Sequence, residues 1–163
     1  MNVGIEPLSK EHFSGLHAVF DAVCNEERFL AFCSAGAPEK THAYYQSVIT
    51  GGHSHFVALL DGEVIGWCDV LPLFGEMRAH CGVLGLGVAK NYRGHGVGRK
   101  LITAALAKAS VRGIERVELT VRVDNIAAQS LYKSLGFVVE GLQRNAWRLR
   151  SEYFDVYQMA RLQ

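Results

Sequence analysis

The sequence predicts an α/β (α+β) fold, with one mixed central sheet and helices on both faces. Three observations lead there. Asp61-Gly62 separates two β-rich runs, 56–60 and 64–70, and that spacing signals a hairpin of antiparallel strands. Residues 83–139 then alternate apolar strand, amphipathic segment, strand and amphipathic segment, as a β-α-β-α unit does. Two further amphipathic segments precede the hairpin. The chain has 163 residues, enough for one core, and the expected organisation is a single domain, 1–163.

The elements follow in order. Val3 and Ile5 suit a short strand that Pro7 ends. Ser9 is placed to cap a helix, with Leu8 and Phe13 as a staple. Phe13, Leu16, Phe20 and Val23 keep helical spacing and predict one buried face. Residues 25–37 mix aromatic and charged side chains; they read either as a second helical turn or as a lid over a pocket. Pro38 opens the next helix, and Gly51-Gly52 closes it. Residues 71–80 are a loop. Residues 83–88 are a strand in which Gly85 and Gly87 point to a bulge, to a close backbone approach, or to small residues packed under a helix. Val97, Leu101, Ile102, Ala105, Leu106 and Ala109 line one face of a helix that ends before Gly113. Residues 117–123 alternate as a strand. Asp124 or Asn125 caps the last helix, Gly136 stops it, and 137–139 and 153–159 are closing strands.

Seventeen Lys+Arg against sixteen Asp+Glu leave a net charge of +1, which argues against nucleic acid or an anionic membrane as partner. Four cysteines, Cys24, Cys33, Cys68 and Cys81, show neither CxxC pairing nor metal-ligand spacing with histidine. They read as reduced thiols. No secretory signal pattern opens the chain, and no apolar run approaches the ~20 residues a membrane span needs, so the expected location is cytoplasmic.

The chemistry concentrates in Arg93-Gly94-His95-Gly96-Val97-Gly98, between the strand at 83–88 and the following helix. A helix start leaves N–H groups unpaired and carries partial positive charge, so it holds anions. Glycines let phosphate oxygens near the main chain, and Arg93 and Arg99 add charge. A Walker A loop would need Lys-Ser/Thr after Gly98, where Arg99-Lys100-Leu101 stands. A Rossmann turn would need G-x-G-x-x-G early in the chain. Neither fits, which leaves a diphosphate-binding turn of another kind or a glycine-rich strand-helix connection that holds no ligand.

Arg93 to Gly98 resembles the R/Q-x-x-G-x-G/A signature of the GNAT superfamily of N-acetyltransferases. The segment from Val117 to Phe137, with Asn125, Ala127, Leu131-Tyr132 and Leu135-Gly136-Phe137, is similar to that superfamily's later strand-helix motif. Val64-Ile65-Gly66 in the preceding hairpin supports the resemblance more loosely. The tail from Gly141 resembles bacterial members that acetylate amino acids or other small amines.

The resemblance implies that acetyl-CoA, with no metal, lies where the strand 83–88 splays from 117–123. The backbone of Leu86, Gly87 and Val88 would pair with pantetheine, a bulge there freeing the groups. Arg93, Gly94, His95, Gly96, Val97, Gly98 and Arg99 would take the diphosphate. Asn125 would bond near pantetheine, the Val88 amide would serve the tetrahedral oxyanion, and Tyr132 would protonate the leaving thiolate. Where some relatives carry a basic glutamate, Thr120 stands, so Glu118, His80, Glu76, Glu26, Glu27 and water all remain candidates for the base. The acceptor implied is a small amine, with a protein N-terminus or lysine as the alternative. A non-catalytic acyl-CoA-binding module is a third reading. Aromatic residues Phe29, Phe32, Tyr44, Tyr45, Trp67 and Phe74 would line either kind of acceptor site. Dimerisation is common in the superfamily, and the closing strands are where it would occur.

Overall fold

The alternating apolar runs pair into one seven-stranded sheet in the computed structural model, which describes residues 1–163. The strands are β1 (Gly4–Pro7), β2 (Ser54–Leu60), β3 (Glu63–Pro72), β4 (Cys81–Val88), β5 (Arg116–Arg122), β6 (Val138–Leu149) and β7 (Glu152–Leu162). Their order across the sheet is β1-β2-β3-β4-β5-β7-β6. Only β4 and β5 run parallel; every other neighbour is antiparallel. The helices are α1 (Phe13–Cys24), α2 (Pro38–Thr50), α3 (Val97–Val111) and α4 (Ile126–Ser134).

Helices cover both faces. On one, Leu16 and Val23 of α1 and Tyr45 of α2 pack against Val57 and Trp67. On the other, Leu101, Ile102, Ala105 and Leu106 of α3 and Tyr132 of α4 meet Cys68, Val70, Leu84, Val117 and Leu119. Full burial of each Leu or Ile here contributes roughly 1.5–3 kcal/mol. The Asp61-Gly62 turn has φ of 51° and 85°, the left-handed pair that a tight hairpin needs. Pro38 begins α2.

Three expectations change. The bulge in β4 is absent: Gly82 to Val88 pair with Pro72 to Gly66 in continuous register. The glycines of β4 have another cause. A side-chain carbon on Gly87 would sit 2.0–2.8 Å from the Trp67 ring, and one on Gly85 3.0 Å from Asp69 Oδ1. They make room for the side chains of β3 lying over them. Residues 25–37 form turns and bends rather than a second helix. The closing strands are longer than 137–139 and 153–159, because β6 continues to Leu149 as a solvent-exposed edge without apolar alternation.

Gly87→Ala is expected to destabilise the fold by about 1–3 kcal/mol, since Trp67 is enclosed between β3 and α1. Urea denaturation measures it, and an unchanged midpoint would show that the indole swings away freely.

Candidate active site

The sheet opens at its one parallel junction. β4 and β5 pair only at Cys81–Gly82–Val83 with Arg116–Val117–Glu118, and beyond that they diverge. Ala89 N–H donates to Ile65 C=O and Leu73 N–H to Cys81 C=O, both at 2.9 Å. These fix the antiparallel alternation: odd-numbered residues of β4 bond to β3, and even-numbered ones point the other way. Leu86 and Val88 therefore present backbone groups to the gap. Gly87 faces β3, which departs from the expectation that it joins Leu86 and Val88 in the cleft.

The turn after β4 lies at the mouth of the gap. Gly94 and Gly96 have φ of 78° and 79° with nothing within 4 Å of an added side-chain carbon. Their glycine character serves the left-handed backbone. Gly98 serves packing, since a side-chain carbon there would meet Leu131 at 3.1 Å. Gly96 caps α3, leaving the N–H groups of Val97, Gly98 and Arg99 without helical partners. His95 Nδ1 lies 2.8 Å from Arg93 C=O and braces the turn, and Arg99 donates to Ser134 Oγ at 2.7 Å, tying α3 to α4.

Arg93 does not stand free for an anion. Its Nε donates to Val88 C=O at 2.8 Å, both terminal nitrogens donate to Glu26, and its guanidinium lies 4.6 Å over Phe29. Its charge is spent latching the 25–37 segment to the turn. Arg150 donates to Glu27 at 2.9 Å and ties the same segment to the turn between β6 and β7.

Asn125 caps α4, its Oδ1 accepting from Ala128 N–H at 3.2 Å. Tyr132, from the next turns of α4, is 8% exposed and packs on Phe137. Burial, with a smaller contribution from Cys68, pushes its phenol well above the usual tyrosine range. Cys68, which acts on the phenol, registers with Leu86 of β4.

Two cavities flank the gap and share Leu30 and Ala31. The larger, about 490 Å³, is lined by Phe20, Phe32, Tyr44, Tyr45 and Trp67, with Asp69, Gly85 and Leu86 as its floor. The smaller, about 250 Å³, is lined by Arg122, Arg148, Trp147 and Phe154. Of the aromatics expected here, Phe29 instead packs under Arg93, and Phe74 is 96% exposed.

Of the candidate base residues read from sequence, three are held in ion pairs and two lie elsewhere. Glu26 is held below the usual carboxylate range by the hydrogen bond from Arg93. Glu27 pairs with Arg150, and Glu118 with Arg116 and Arg78. Glu76 sits in an exposed turn, and His80 lies beside Cys81 at the closed end of the β4–β5 pair. Sequence reasoning passed over Asp69. Burial pushes its carboxyl up to about 7, and the Gly85 N–H is the one group that lowers it. The available signal was a carboxylate inside the apolar run Ile65-Gly66-Trp67-Cys68-Asp69-Val70, on the same face as Trp67.

A sheet parted between parallel strands, with the unpaired amides of a helix start beside the opening, is an arrangement suited to an acyl-CoA-dependent transferase. The chain belongs to the acetyltransferase (GNAT) family, whose sequence profile matches residues 17–137, and it is an acetyl-CoA-dependent N-acetyltransferase. It is 32% identical over 112 residues to the L-amino acid N-acetyltransferase AaaT of Escherichia coli, covering 68% of this chain and 69% of that one. It is 34% identical over 122 residues to the N-alpha-acetyltransferase RimI of Mycobacterium tuberculosis, covering 73% of each. Among solved structures, a GNAT acetyltransferase from Streptococcus pneumoniae superimposes with a TM-score of 0.91 at 27% identity, over 99% of this chain and 100% of that one. A Salmonella typhimurium acetyltransferase solved with acetyl-CoA shares the fold, with a TM-score of 0.93 at 18% identity over 99% of this chain and 94% of that one. No helix is long and apolar enough to cross a membrane.

Proposed function

We propose that the chain, acting as one catalytic domain, acetylates the primary amine of a small molecule, and that this molecule is an amino acid. The observation that carries the reading is the latched acceptor side. Glu26–Arg93 and Glu27–Arg150 tie down the 25–37 segment, whose Leu30 and Ala31 line both cavities, and a segment held beside the acceptor space favours a small acceptor over a polypeptide. The larger cavity suits an apolar or aromatic side chain. The smaller suits a carboxylate: Arg148 has no acidic partner among the ion pairs, and Arg122 keeps Nη1 free while Asp124 holds its other nitrogens at 3.0 and 2.6 Å.

Acetyl-CoA enters this arrangement through the gap. The backbone of Leu86 and the N–H of Val88, whose C=O already accepts from Arg93, pair with pantetheine, and the amides of Val97, Gly98 and Arg99 take the diphosphate. Gly94 and Gly96 shape the turn, and Arg93 with His95 braces it. Asn125 fixes the start of α4 so that Tyr132 reaches the sulfur. Four free cysteines, three of them buried, fit a reducing cytoplasmic setting.

The test is thiol release from acetyl-CoA across amino acids, polyamines and peptides. Free amino acids with large apolar side chains are expected to turn over, with peptides far slower. Faster release with peptides would favour the polypeptide reading suggested by relatives such as RimI. Tight acetyl-CoA binding without release to any amine would leave only a binding module. Arg148→Gln is expected to raise KM about tenfold for a carboxylate-bearing acceptor, the size of one charge-assisted hydrogen bond, and not for its decarboxylated analogue. Equal changes for both acceptors would remove the carboxylate subsite.

A further inference from the structure

We propose that Asp69 is the general base of the reaction, taking a proton from the acceptor's ammonium group directly or through one water. The inference rests on the small-amine reading above. An amine reaches the enzyme at neutral pH mostly as ammonium, which has no lone pair to attack with. Some group near the gap has to accept that proton.

Asp69 is placed for it by the absence of a side chain on β4. Its Oδ1 and Oδ2 lie 3.0 and 3.3 Å from where a Gly85 side-chain carbon would be, so the carboxylate lies over the β4 backbone. The next residue, Leu86, presents its backbone to the gap. The carboxylate forms the cavity floor between the acceptor space and the strand that lines the cofactor cleft.

Its surroundings supply no competing charge. From α2 come Tyr44 and Tyr45, from β2 His55, and from β3 the Cys68 thiol; α1 contributes only Leu16 and Phe20 to the cavity. Burial holds the Tyr44 phenol up at about 12 and the Tyr45 phenol higher still, and pushes His55 down to about 4. All are neutral at pH 7. The Asp69 carboxyl, raised to about 7, is the group on the cavity wall that changes charge there. Desolvation strengthens its basicity, as a general base working at neutral pH requires.

The step balances. Asp69 carboxylate takes one ammonium proton and becomes the acid. The freed nitrogen pair attacks the thioester carbon, forming C–N and moving the carbonyl π pair onto oxygen. Collapse restores C=O and breaks C–S, and the departing thiolate takes the phenolic proton of Tyr132. The second nitrogen proton returns through solvent to the tyrosinate, and Asp69 gives its proton to water.

The sign of the pH effect follows. Below the carboxyl's pKa Asp69 is already protonated and cannot accept; above it the anion is available. In the unaltered enzyme kcat/KM is expected to rise with pH through a limb near 7 that stays in place when the acceptor is changed. Asp69→Asn is expected to abolish that limb and lower kcat at least about a hundredfold, the usual scale of general-base catalysis. Acetyl-CoA affinity by calorimetry stays unchanged. With an acceptor amine already neutral at the assay pH, the same variant's deficit shrinks to within about tenfold. Retained kcat in the variant, equal deficits for both acceptors, or a flat wild-type profile from about pH 6 to 8 overturns the proposal. The wild-type profile decides alone if the variant does not fold. An unaltered enzyme that acetylates no small amine fails earlier, and that result strikes the small-amine reading itself.

Discussion

Tyr132→Phe is expected to lower kcat about a hundredfold while acetyl-CoA affinity stays within about twofold. The change removes one oxygen and keeps the ring, so the contact with Phe137 and the burial of α4 persist. What is lost is the proton for the departing sulfur. A phenol held above its usual range is on its own a poor acid for a thiolate whose conjugate acid has a pKa of about 8.5. The same apolar surroundings act on both partners, however. Desolvation penalises a nascent thiolate as it does a phenolate, so the transfer stays uphill by only about the ordinary 1.5-unit gap between phenol and thiol, and the strongly acidic second nitrogen proton, which reloads the tyrosinate, draws it forward. The raised phenol also stays protonated through the neutral range, so the acid is loaded at every working pH. The rate loss should therefore be the same at pH 7 and pH 9, unlike the loss from Asp69→Asn. Single-turnover thiol release measures it. Unchanged turnover would reduce Tyr132 to a core aromatic.

The fold was readable where local chemistry and tertiary packing agree. Asp61-Gly62 fixed a hairpin because the left-handed pair of residues that a tight turn demands is written in those two side chains. The inner face of α3 was legible because all six apolar positions really are buried. β6 was not, since its outer residues face solvent on both sides and carry no period-2 pattern. The site divides the same way. Gly94 and Gly96 announced the turn, and their left-handed backbone gives a reason for glycine at both positions. Arg93 misled, because the residue that claims its charge, Glu26, lies 67 positions away in the sequence. Gly85 and Gly87 misled in the opposite direction. They signalled a close approach, but the approaching groups are Asp69 and Trp67 of this chain. Long-range partnership decides each of these cases, and local pattern carries no record of it.

Gly96→Asp is expected to weaken acetyl-CoA binding at least tenfold more than Gly96→Asn does. Both substitutions place a branched polar side chain at a φ of 79°, which Asn and Asp tolerate better than other residues and at similar cost. The pair therefore cancels backbone strain and isolates charge. A carboxylate at the cap of α3 would sit among the unpaired amides of Val97, Gly98 and Arg99 and accept hydrogen bonds from them. In the free protein that is stabilising, since an acid at a helix start is worth about 0.3–1 kcal/mol. The same contact occupies the amides a diphosphate needs and sets a negative charge against it. The fold should thus become slightly more stable while the cofactor binds more weakly, a divergence that general damage to the turn cannot produce. Because Arg93 is already neutralised by Glu26, little positive charge beyond Arg99 and Lys100 remains to offset the repulsion. Calorimetric titration with acetyl-CoA at low salt, beside thermal unfolding of both variants, reads the two effects separately. Equal affinities for the Asp and Asn variants would place the diphosphate away from this helix start.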